Sequence, residues 1–201
     1  MERWLILLIA STVVSCGGDS EAAAPVTSSG CEDGTYPPLS ETTYVLPLAP
    51  GTTFDTGLTN CSSSFHGAGQ PDQYAFDFDV PVGTAFIATR AGTVVQVVEN
   101  EPSDGGGVGN YVVVDHGDGT FGLYYHSPMD GISVAVGETV NQGDVLGQTG
   151  RSGLAGYPHL HFIVVTGTPT YPYTGIPVSF KNVSPEHVIL ESHHTYTALP
   201  F

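Results

Sequence analysis

Basic residues are scarce: Arg3, Arg90, Arg151 and Lys181 stand against 20 acidic residues, for a formal net charge of -16. Four scattered cations form no cluster, which excludes a phosphate-backbone binder and adsorption to an anionic membrane by charge. Long apolar runs are also missing. The run Trp4 to Ala10 is too short to cross a bilayer as a helix. No stretch sustains a 3.6-residue apolar period, so the chain reads as nearly all β, and no internal repeat is clear. There are only three cysteines, Cys16, Cys31 and Cys61, without the close spacing of a thiolate metal site.

What is abundant is turn chemistry. The 201 residues include 26 glycines and 15 prolines, and 40% are hydrophobic. That composition reads as a β-rich chain able to bury one substantial core.

The opening "MERWLILLIASTVVSC" reads as an export segment over residues 1–15. It resembles the lipobox of bacterial lipoproteins, which implies lipidation of Cys16 and a cell-envelope protein held at the outer membrane or cell surface. Ordinary signal-peptidase cleavage leaving Cys16 behind is the alternative. Residues 16–30 are small and polar and read as a tether. Export permits a disulfide. With Cys16 set aside, Cys31 and Cys61 are easier to explain as a bonded pair closing a loop of about 30 residues than as two free thiols.

Residues 31–64 hold short apolar pieces such as "YVLPL" between Pro and Gly, expected as an appended strand or two with loops. The regular pattern begins at "YAFDFDV". It continues through "AFIATRAGTVVQVVEN" as two strands and "NYVVVDHGDGTFGLYYHS" as a hairpin turned at Gly117-Asp118-Gly119, and ends at "HLHFIVV". "EPSDGGGVG" is expected to be an irregular loop, "GIPVSFKNVS" a strand and turn, and "ESHHTYTALPF" an exposed tail.

Asp77 interrupts the aromatic run "YAFDF", where a carboxylate is costly unless paired or metal-bound. A solvent-facing position shared with Asp79 is the plainer alternative. In "GYPHLHF", strand alternation puts His159 and His161 on one face and Leu160 in the core. His126 ends a hairpin strand, where an idle histidine is as good a reading as a working one. His116 sits beside a turn and reads as structural. As a set, His66, Asp77, His126, His159 and His161 offer the imidazole and carboxylate donors of catalytic zinc. A copper or transport site and an all-β binding module remain open from the residues alone.

These motifs in this order resemble the M23 family of LytM/lysostaphin-like zinc endopeptidases, the duplicated hybrid motif fold, from about Phe65 to Val165. The resemblance implies an all-β, single antiparallel-sheet-rich domain at 65–182, with an N-terminal extension at 31–64 and a tail at 183–201. It implies Zn2+ as cofactor, peptidoglycan as partner, and hydrolysis of cross-bridge or stem peptides. It assigns Asp77 and His161 as metal ligands, and His126 and His159 as catalytic. The family's first ligand lies four residues before the aspartate, where this chain has Gln73. Some branches place that histidine farther upstream, which implies His66 as the third ligand. The family's glutamate after HxHF is Ile163 in this chain, and the segment before the pair is longer and contains Tyr157. A catalytically silent scaffold or regulator of cell-wall hydrolases is the alternative function.

Overall fold

The computed structural model describes residues 26–27, 31, 34–183 and 189–201, so Cys16 and the export segment lie outside the described residues. In chain order the strands are β1 (Val26–Thr27), β2 (Thr35–Tyr36), β3 (Thr53–Thr56), β4 (Phe76–Asp79) and β5 (Ala85–Ile87). Then come β6 (Gly92–Val98), β7 (Asp104–Gly105), β8 (Asn110–Asp115), β9 (Thr120–Ser127) and β10 (Thr139–Val140). The series ends with β11 (Val145–Gln148), β12 (Arg151–Ser152), β13 (Leu160–Thr166), β14 (Thr174–Gly175) and β15 (Thr195–Thr197). The one helical element among the described residues is a single 3-10 turn at Ser64–His66.

Nine strands form one sheet in the order β10-β6-β8-β9-β13-β4-β3-β15, with β14 also on β13, and all its pairs are antiparallel. The longest strands are rich in Val, Tyr and Phe, whose branched and aromatic side chains suit a pleated surface. Alternation along β13 divides its side chains between two apolar clusters. Leu160, Phe162 and Val164 join Phe76, Phe78, Tyr124 and Phe180 in the main core. Ile163 and Val165 join Ala75, Val113, Leu123 and Tyr173 on the opposite face. His161 belongs by parity to this second face.

The sheet takes in both flanking segments. β3 pairs β4 and, with Tyr44, Leu46 and Leu48, contributes to the main core. Within the residues read as a tether, Val26–Thr27 pairs with Thr35–Tyr36. The C-terminal stretch expected to be exposed is corrected by the structure: β15 pairs β3, and Tyr196 and Ala198 are buried. Of "GIPVSFKNVS", residues 176–183 form no strand, yet Val178, Phe180 and Val183 are core residues. The loop "EPSDGGGVG" contains β7, which pairs β12 in parallel. Cys31 and Cys61 are joined as a disulfide, with 5.2 Å between their Cα atoms. No described helix is long and apolar enough to cross a membrane.

Candidate metal centre

The register of β13 against β4 sets His161 directly opposite Asp77. Partners in register share a face, so both side chains emerge at the end of the second face, beyond its apolar cluster. Asp77 is buried, not solvent-facing, and its Oδ1 lies 2.9 Å from His161 Nδ1. His66 Nε2 reaches the same oxygen at 3.5 Å, and the His66 and His161 rings meet edge-on with centroids 5.1 Å apart. His66, Asp77 and His161 each offer a donor atom, all within 4.8 Å of one another. All three are buried.

His66 arrives from outside the strands. Its loop is a 3-10 turn closed by His66 N–H donating to Ser63 O, followed by Gly69 at φ 82, a backbone that favours glycine. Gln73, at the position of the usual first ligand, accepts the Gly69 N–H at 2.7 Å through Oε1 and accepts Cys61 N–H at its carbonyl. The residue standing where a ligand is usual thus braces the loop that carries His66.

His126 and His159 complete the cluster. In a regular strand His126 would follow Tyr124 onto the main-core face. A bulge prevents this: Asn110 pairs Ser127 while its neighbour Tyr111 pairs Tyr125, so His126 is the extra residue. Its φ of 77 turns the imidazole toward the site, 4.6 Å from the His159 ring and 5.8 Å from that of His161. The bulge is fastened on both sides. Asn110 donates its N–H to Ser152 Oγ and its side-chain amide to Ser127 O. Gly150 is a glycine because a Cβ there would fall 2.7 Å from His126 O and from Pro128 N.

Two backbone carbonyls fix the tautomers of His126 and His159. His126 Nδ1 lies 2.8 Å from Ser152 O, and His159 Nδ1 lies 2.9 Å from Tyr157 O. A carbonyl only accepts, so each Nδ1 carries the proton and each Nε2 keeps its lone pair. For His159 that nitrogen lies 3.6 Å from Asp77 Oδ1.

Burial dominates the electrostatics. It lowers the pKa of His66 to about 4, reinforced by the nearby His161, and that of His126 to about 3, reinforced by His161 and His159. Burial lowers His159 as well. All three are neutral at pH 7, as a ligand or a base must be. Burial alone would raise Asp77, but its hydrogen bond and charge interaction with His161 prevail and hold it at about 2. For His161, burial is outweighed by the adjacent carboxylates of Asp72 and Asp77, which raise its pKa. A metal ion taking up this imidazole would have to displace one of its protons.

The donor set fits a zinc-type ion. Two imidazoles and a carboxylate, buried and convergent, leave a fourth position open. Among the described residues His66 Nδ1 has no hydrogen-bond partner, so this ring is buried with one polar atom unpaired.

Other sequence candidates fall outside the cluster. His116 is away in the β8–β9 hairpin against Thr120 and Tyr44. His194 Nε2 faces Glu191, and His193 is not among the clustered donors. Sequence reasoning missed Asp72, whose Oδ1 is 3.5 Å from His161 Nε2, and Tyr173, which donates to Asp72. Nothing in "PDQYAFD" separates Asp72 from an ordinary loop acid.

The model of peptidase family M23 matches residues 72–172. Peptidoglycan DD-endopeptidase ShyA of Vibrio cholerae is 36% identical over 94 residues, 46% of this chain and 20% of that protein. ShyB of the same organism is 35% identical over 89 residues, 44% and 19% of the two chains. The chain thus spans about a fifth of the length of these relatives. The catalytic domain of the prophage-encoded M23 protein EnpA from Enterococcus faecalis, solved as a point mutant, superposes with a TM-score of 0.52 at 22% identity. That alignment covers 66% of this chain and 94% of EnpA's. The M23 metalloprotease pseudoalterin, from the deep sea, gives 0.51 at 18% identity, covering 71% and 80%. At such identities the likeness concerns the fold. The family match begins after His66, which only the tertiary structure brings to Asp77 and His161. It spans half the chain and includes the strands bearing Asp77, His126 and His161, so this protein belongs to peptidase family M23.

Proposed function

We propose that the chain is a zinc-dependent endopeptidase that hydrolyses peptide bonds in peptidoglycan cross-bridges or stem peptides. The observation that carries this reading is the convergence of His66, Asp77 and His161 beside two neutral histidines with free Nε2 lone pairs. His66, Asp77 and His161 would hold the ion, which supplies Lewis acidity to the attacking water and the scissile carbonyl. His126 and His159 flank that position. In the reading, one Nε2 accepts the proton of the attacking water, and the resulting imidazolium can protonate the leaving amine. The other lines the developing oxyanion, whose negative charge draws a solvent proton onto that Nε2 so that it can donate. The bulge and the two carbonyl contacts hold both rings in place before substrate arrives.

The substrate assignment follows the similar proteins, whose names specify peptidoglycan DD-endopeptidase activity. A cell-envelope location agrees with it, and the Cys31–Cys61 disulfide favours an oxidising compartment. Lipidation at Cys16 belongs to the same proposal. A silent scaffold would be favoured by a lost ligand, and His66 stands within reach of that role.

The test is zinc content combined with digestion of purified peptidoglycan and mass analysis of the released fragments. About one zinc per chain, and fragments cut at peptide bonds, are expected. Metal-free protein that releases nothing, even after zinc is added, would overturn the proposal.

A further inference from the structure

Metal-ligating histidines usually donate their second ring N–H to an acceptor that fixes tautomer and ring orientation. At His161, Nδ1 faces Asp77, so Nε2 is the nitrogen turned away from that carboxylate. It does not end in solvent. Asp72 Oδ1 lies 3.5 Å away, long for a hydrogen bond but close enough for a carboxylate to favour a proton on Nε2. Asp72 is itself held. Tyr173 donates its hydroxyl to the same Oδ1, and the Asp72 carbonyl accepts the N–H of Ala75, next to β4. Tyr173 is buried in the second apolar cluster and immediately precedes β14, which pairs with β13, the strand of His161. Side-chain contacts thereby form a line of groups: Tyr173, Asp72, His161, Asp77.

We propose that Asp72, backed by Tyr173, is a positioning residue for the metal centre. It keeps the His161 proton on Nε2 so that Nδ1 presents its lone pair to the ion. This rests on the metal-site reading above. The carboxylate is supplied by the same short loop that supplies Gln73. One turn of chain therefore braces two ligands, His66 through Gln73 and His161 through Asp72.

The experiment measures zinc affinity by competition with a chromogenic chelator, using the full chain and its Asp72→Asn and Tyr173→Phe variants. Nitrogen NMR of the zinc-loaded protein reads the His161 tautomer in parallel. Asp72→Asn should weaken zinc binding by about 10- to 100-fold while still saturating at the wild-type stoichiometry. Tyr173→Phe should weaken it by a smaller factor, with His161 protonated on Nε2 in the wild type. Unchanged affinity in Asp72→Asn overturns the proposal and leaves the metal site standing. Failure of the wild type to bind zinc overturns both. If Asp72→Asn does not fold, Tyr173→Phe decides by the same criterion, since it retains the buried ring and removes only the hydroxyl.

Discussion

The bulge at His126 can be tested by replacing that residue with alanine and, separately, with glycine. Both substitutions delete the imidazole, its hydrogen bond to Ser152 and its buried area, so those losses cancel when the two variants are compared. The backbone remains. At φ 77 any side chain bearing a Cβ costs about 1–2 kcal/mol, which glycine does not incur. Against this, glycine loses about 0.5–1 kcal/mol more conformational entropy on folding than alanine. The balance favours His126→Gly over His126→Ala by about 0.5–1 kcal/mol, whereas in a regular strand glycine would be the worse residue. Urea unfolding of the two metal-free variants measures the difference directly. Both should lose about 100- to 10,000-fold in kcat on a cross-linked peptide, the usual contribution of a positioned acid or base. An alanine variant more stable than the glycine variant would refute the strain argument. Near-wild-type turnover in either would remove His126 from the chemistry.

His66→Ala should abolish stoichiometric zinc binding, whereas Gln73→Ala, which only frees the Gly69 N–H, should weaken it several-fold; equilibrium dialysis separates the two. His116 carries a pH dependence independent of the site. Burial, aided by the Arg90 charge, lowers its pKa from 6.5 to about 4, so below pH 6.5 the unfolded chain binds a proton that the fold refuses. Its contribution is complete above 6.5 and is lost as pH falls toward about 4. Between pH 7 and pH 5 the wild type should therefore lose about 1–2 kcal/mol more than His116→Asn in urea melts, after allowance for partial exposure. Equal losses would contradict this. Replacing Cys31 and Cys61 with serine should cost about 3–4 kcal/mol for a loop of this length, seen as a lower melting temperature that reductant no longer changes.

Much of the sheet is legible because period-two patterning and Gly-rich turns are local signals. β4, β8, β9 and β13 lie where "YAFDFDV", "NYVVVDHGDGTFGLYYHS" and "HLHFIVV" predict them. The C-terminal stretch misleads because the polarity of "HHTYTALPF" suggests solvent. Yet β15 is an edge strand, and only Tyr196 and Ala198 need face the core. The β7–β12 pair is illegible for another reason: two-residue strands made of Asp-Gly and Arg-Ser carry no pattern at all.

By itself the sequence determined the donor types, the shared face of His159 and His161, and the place of Asp77 in a strand of aromatic residues. Those follow from residue chemistry and the alternation of a pleated strand. Tertiary structure decided the rest. Register put Asp77 opposite His161, a bulge moved His126 from the core face to the site, and a braced loop brought His66 across eleven residues of sequence. Asp72 became visible only when the fold set its carboxylate between His161 and Tyr173. The physical reason is common to all four. Each depends on which segments lie side by side, and local propensity does not encode that.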